Sequence, residues 1–233
     1  MFVEDYVGGA ELTTQALIDS CPFPYQKVNS NKISMKTLES GADKFWVFGN
    51  YSSIDWNLLP SIIANLNYSV LEYDYKFCKY RSPEKHKFAE GVECDCASTD
   101  VGKTVSAFYY GAQSIWWMSE KQQSTYLQTF PFLNEKQNTV LSSVFDDTFF
   151  LKIKELREKN KDKEKKGWIT LGSNSWIKGA DDAEKYCKDN NINNIITNDV
   201  CQKLKDCNID EIADLLIKNN KNKKFPNLSK SNL

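Results

Sequence analysis

Two stretches of this chain open in the same way, and that plan restricts the fold more than any other feature. Gly167-Trp168-Ile169-Thr170-Leu171-Gly172 is a short apolar run closed by glycine. A polar loop, Ser173-Asn174-Ser175-Trp176-Ile177, then leads to Lys178-Gly179-Ala180-Asp181 at the mouth of a helix. Near the other end, Phe2-Val3-Glu4-Asp5-Tyr6-Val7-Gly8-Gly9-Ala10-Glu11 repeats the order strand, glycine turn, helix. Two such openings predict two halves of a nucleotide-binding α/β fold. Backbone N–H groups at a helix N-terminus, with a lysine close by, form a seat for a phosphate. Residues 167–233 are fewer than a complete domain of this kind needs, which predicts an incomplete second half.

The segments between the openings alternate as a parallel sheet requires. Residues 1–5 read as a first strand. Leu12, Ala16 and Leu17 share a helix face that ends before Pro22 and Pro24, since proline cannot continue a helix. Lys44-Phe45-Trp46-Val47-Phe48-Gly49 is short, apolar and glycine-ended, as a buried parallel strand should be. Leu58, Leu59, Ile62, Ile63 and Leu66 form a helical stripe, and residues 68–73 the next strand. Residues 76–99 read as polar and irregular. Val101, Val105, Phe108 and Ala112 mark a helix before the strand 114–118. Ser119 then caps a helix from Glu120 to about Gln128. Residues 138–144 read as a further strand, and Asp146 or Asp147 caps a helix to about Glu158. This βαβα order predicts a Rossmann-like parallel sheet with helices on both faces. Its expected limits are 1–152, followed by a charged linker at 153–166 and a partial domain with a loose tail at 167–233.

Thirty basic and 31 acidic residues leave a formal charge of −1, which gives no general pull toward nucleic acid or an anionic membrane. No apolar run has the length of a membrane span, and the N-terminus lacks a signal-peptide pattern. The seven cysteines are an odd number in a chain too long for a small disulfide scaffold. Reduced thiols and a cytoplasmic setting are the expectation.

With these residues in view, the chain resembles the retaining glycosyltransferases of the GT-B type, which use nucleotide sugars. Gly8-Gly9-Ala10-Glu11 matches the first glycine loop of that family, and Val140–Asp146 the strand leading toward its linker. Gly172 to Gly179 has the spacing of its Gly-Arg-x4-Lys-Gly loop, followed by Asp181. The resemblance implies transfer of a hexose from a nucleotide diphosphate sugar to a hydroxyl of a glycan or other acceptor. It places Gly8, Gly9, Glu11, Gly172, Ser173, Lys178 and Gly179 at the substrate, with no cofactor required for catalysis. The charge balance and the lack of a long apolar run already predict no nucleic-acid partner and no transmembrane segment, and leave peripheral membrane contact open. Ser173 stands where the family has an arginine on the donor diphosphate. The paired-glutamate motif does not follow, so the resemblance is to a C-terminally truncated member. A non-catalytic binding module derived from the same fold is the alternative.

Four further features carry chemistry. Cys78, His86, Cys94 and Cys96 bring three soft sulfur ligands and the chain's single histidine into one segment, where they could enclose a structural Zn²⁺; unliganded thiols are the alternative. Ala97-Ser98-Thr99-Asp100-Val101-Gly102-Lys103-Thr104 fits a relaxed phosphate-loop pattern, which would make this an ATP-binding protein. A plain helix start is the competing reading. Trp116-Trp117 reads as a buried strand or a sugar-stacking platform. Asp74 and Glu120 stand at strand ends, where open α/β sheets bind ligands; each touches substrate or caps a neighbouring helix.

Overall fold

The computed structural model describes residues 2, 4–5, 8–162, 168–170, 176, 179–192 and 194–196. The chain divides into two units, 1–158 and 159–233. In the first, four parallel strands lie in the order β1-β2-β3-β4: Phe45–Phe48, Asn67–Glu72, Ser114–Trp117 and Gln137–Val140. Each consecutive pair is neighbours in space, so every connection is a crossover carrying a helix. The flanking helices are α1 (Gly9–Asp19), α2 (Met35–Ser40), α3 (Leu59–Asn65), α4 (Pro83–Glu90), α5 (Asp100–Gly111), α6 (Glu120–Thr129) and α7 (Asp147–Lys159).

The register puts Trp46, Phe48, Tyr68, Val70, Ile115 and Trp117 on one sheet face. Ile62 of α3, Phe108 of α5 and Tyr126 of α6 complete the core against that face, each with no exposed surface. The aromatic rings interlock edge to face, with Phe48 5.5 Å from Tyr68 and 5.4 Å from Phe108. On the opposite face Leu71 is buried, but Phe45 and Val47 remain 55% and 49% exposed.

Local chemistry sets the ends of the helices. Ser82, Thr99 and Ser119 each cap a helix by accepting from a backbone N–H of its first turn. Pro83 follows the first of these caps at a position where the missing N–H costs nothing. Asp146 Oδ1 accepts from Phe149 N at 2.7 Å at the start of α7.

Three expectations are corrected. The described residues of the first segment, Phe2, Glu4 and Asp5, form a turn in which Asp5 N donates to Phe2 O at 2.9 Å. The last strand ends at Val140, because Leu141 N and Ser142 N both turn back to Trp117 O and Ser142 adopts a left-handed conformation (φ 64°). The segment 76–99 is not irregular, since it contains α4. In the second unit β5 (Trp168–Thr170) and β6 (Asn194–Ile196) pair in parallel, with α8 (Ala180–Asp189) between them in sequence.

Candidate metal centre and the carboxyl edge of the sheet

The segment after β2 folds back on itself in three steps. A turn closes with Arg81 N donating to Cys78 O at 2.9 Å, and Arg81 itself is left-handed (φ 55°). Ser82 then starts α4, whose one buried residue is His86. Gly91 ends α4 at φ 73°, where a side chain would be strained, and sends the chain back toward Cys94 and Cys96. A 3-10 turn over Cys96–Ser98 leads directly into α5.

These turns bring Cys78, His86, Cys94 and Cys96 together, with one ligand atom from each lying within 4.8 Å of the other three. His86 Nδ1 is 3.3 Å from Cys96 Sγ and 3.9 Å from Cys78 Sγ. A tetrahedral Zn²⁺ with sulfur at ~2.3 Å and nitrogen at ~2.0 Å sets its ligand atoms roughly 3.5–3.8 Å apart. The four groups therefore already stand at about the separations such an ion requires. Cys78, His86 and Cys96 are buried and Cys94 is half-buried. The Tyr80 ring meets the His86 ring edge-on at 5.6 Å, and His86 Nε2 faces the Asp95 carboxylate at 4.0 Å. This arrangement turns Nδ1 toward the sulfurs. Burial, followed by the neighbouring thiols, pushes the Cys94 thiol up to about 12. A cation among the sulfurs reverses that preference, because metal binding stabilises the thiolate.

Next to this cluster, a polar network anchors the end of β2. Glu72 has no exposed surface and receives the Lys76 ammonium at 2.6 Å. Tyr51 donates to it at 2.9 Å, and Tyr109 donates to the same oxygen. The Tyr126 hydroxyl donates to Asp74 O at 3.0 Å and accepts from Lys76 N at 3.1 Å. Gln122 Nε2 also donates to Asp74 O, at 3.2 Å. Burial, and then the Glu72 charge, holds the hydroxyls of Tyr51, Tyr109 and Tyr126 well above the usual tyrosine range. The sequence reading missed this network. Its signal was an acidic residue ending an apolar strand, with a lysine four positions later.

The second turn of α1 meets the same edge. Thr14 Oγ1 lies 2.5 Å from Tyr73 Oη. A Cβ on Gly49, just after β1, would be 3.4 Å from the Tyr73 ring and 3.8 Å from Thr14 Oγ1. Gly8 is extended (φ −137°, ψ 174°) as the N-cap, and Gly9 is the exposed first residue of the helix. A Cβ on Gly9 would meet nothing within 4 Å. Glu11 is buried in the first turn. Asp74 caps no helix: its carboxylate takes Arg81 Nη1 at 3.1 Å and Lys76 Nζ at 3.3 Å. Glu120 is exposed in the first turn of α6.

The structure separates some of the other sequence candidates. Gly102 lies inside α5, with a 3-10 turn rather than a strand before the helix, so the phosphate-loop pattern is a helix start here. Trp117 is fully buried and donates to Asn138 Oδ1 at 2.8 Å, while Trp116 is half-buried. Gly172, Ser173 and Lys178 lie outside the described residues, and Gly179 is the left-handed N-cap of α8 (φ 80°). Among the described residues no helix is long and apolar enough to cross a membrane. Fold and site together define an α/β protein with a parallel sheet and a Cys3His cluster at its carboxyl edge. No protein family, curated protein or solved structure matches the chain.

Proposed function

We propose that this chain is a glycosyltransferase-like protein whose substrate edge is braced by a structural zinc. Cys78, His86, Cys94 and Cys96 hold the ion. Four protein ligands leave no open position for a reacting water, so the metal's role is to fix the chain and not to catalyse. Helix α4 buries only His86, and ligation supplies folding energy that its packing lacks. The braced segment carries Arg81, which pairs with Asp74 just after β2.

One observation carries the transferase reading. Gly9 opens α1 with no positive φ, and a side chain on it would strike nothing, so the fold of α1 does not require a glycine there. Bare backbone at a helix N-terminus does serve the close approach of a phosphate or a sugar hydroxyl. The sequence resemblance supplies the substrate class, a nucleotide diphosphate sugar. Ser173, in place of an arginine, removes one charge-assisted contact worth roughly 1.5–3 kcal/mol, so donor binding by this chain is feeble. The same substitution favours the second reading, a binding module derived from the fold.

Two measurements test the proposal. Elemental analysis of purified protein should give one zinc per chain, and Cys96→Ser should lose it. Calorimetry with uridine and guanosine diphosphate sugars should show weak binding, lowered further by Gly9→Ala at an unchanged melting temperature. Binding indifferent to Gly9→Ala would remove the glycine loop from the site.

A further inference from the structure

A cavity of about 360 Å³ opens beside the metal cluster, at the carboxyl ends of β1 and β2. Three of its walls are aromatic: Tyr51 and Trp56 from the loop after β1, and Phe77 from the segment after β2. Lys76, Lys79 and Arg81 also line it, and no aspartate or glutamate does. Their partner carboxylates, Glu72, Glu90 and Asp74, stand outside the wall. Thr99 and Val101 bring the N-terminal end of the 12-residue α5 to the rim, which adds the positive end of a helix dipole. Trp56 is 40% exposed there, an apolar ring that a ligand would cover. The volume is at the small end of the range for ligand sites, enough for one ring and an acidic group.

We propose that this cavity binds a small ligand with a planar aromatic body and an acidic head, and that binding requires the metal beside it. The aromatic walls take the ring; Lys79 and Arg81, 55% and 38% exposed, are the cations open to the acid, whereas Lys76 is held on Glu72. The metal requirement follows from shared residues. Cys78 and Cys96 belong both to the cavity wall and to the ligand cluster. Fixing their sulfurs on an ion fixes that wall, and by linkage the ligand tightens the metal by the same factor. The pocket is argued from its walls and is independent of the transferase reading. Its coupling rests on the zinc reading.

The experiment uses the full chain with its zinc content measured, and phenyl phosphate as probe, with phenol and inorganic phosphate as its separate halves. Phenyl phosphate should bind at least about tenfold more tightly than either half, since ring and head are each held. Arg81→Ala should cost about tenfold or more. Val101→Trp, at an exposed rim position, should block binding with zinc content and melting temperature unchanged. Bound phenyl phosphate should also slow the transfer of zinc to a chelator. Zinc-loaded protein that ignores phenyl phosphate, or binds it equally well as Val101→Trp, overturns the pocket and leaves the metal reading standing. Binding that is blocked by Val101→Trp in protein holding no zinc overturns the coupling and the metal reading, and keeps the pocket.

Discussion

Glu72 illustrates how a buried charge is tolerated when every lone pair is used. It sits at the end of the central strand with no exposure, and it accepts from an ammonium, from two phenols and from Asp74 N at 3.1 Å. Removing its charge leaves Lys76, itself 2% exposed, with only Asp74 at 3.3 Å. Breaking a buried pair from one side costs about 3–5 kcal/mol. Glu72→Gln keeps an acceptor for the tyrosines, and Asp74 offsets part of the loss, so about 3 kcal/mol is expected from denaturant unfolding. Adding Lys76→Met removes the stranded cation, and the double variant should regain at least half of that loss. A double variant no more stable than the single would show that the tyrosines, and not the ion pair, depend on Glu72.

At the scale of elements, the junction between the metal segment and α5 is the tightest fit. A Cβ on Gly102 would lie 2.1 Å from Cys96 O and 2.6 Å from Ala97 Cα. Both are backbone atoms, so α5 or the cysteine turn must move. Gly102→Ala should therefore destabilise by about 1–3 kcal/mol despite the better helix propensity of alanine, and should weaken zinc retention by displacing Cys96. Unchanged zinc retention together with normal stability would mean that the turn yields freely. This glycine belongs to the pattern that reads as a phosphate loop, and the structure gives it a packing role. The sequence could not show that, because the close approach joins two segments whose geometry is set by the turn between them. Strands Phe45–Phe48 and Ser114–Trp117 were legible from their apolar runs, as were α3 and α5 from their stripes. The helix α4 was not, because it buries a single residue, His86, and so has no apolar face to read. Its Ser82-Pro83 start and Gly91 stop were present as signals without a stripe between them. The four-ligand cluster was readable as composition, whereas its convergence depended on those turns.

For the molecule as a whole, the density of buried phenols sets a limit on the pH range of stability. Tyr51, Tyr109 and Tyr126 have hydroxyls driven well above the unfolded value of 10.0, chiefly by burial and then by the charge of Glu72. Burial raises Tyr68 and Tyr73 as well. A phenol whose pKa is raised on folding holds its proton more firmly in the native state. Its contribution is complete below pH 10 and is lost as pH rises toward the folded value, because the unfolded chain then gives up protons that the native state retains. With five such groups the slope approaches about 7 kcal/mol per pH unit well above pH 10. Thermal melts should therefore be insensitive to these groups up to about pH 10 and fall steeply beyond it. Tyrosinate absorbance from the core should appear in one step with the loss of ellipticity. Ionisation of all the tyrosines at pH 10 with the fold intact would show that the network around Glu72 is open to water.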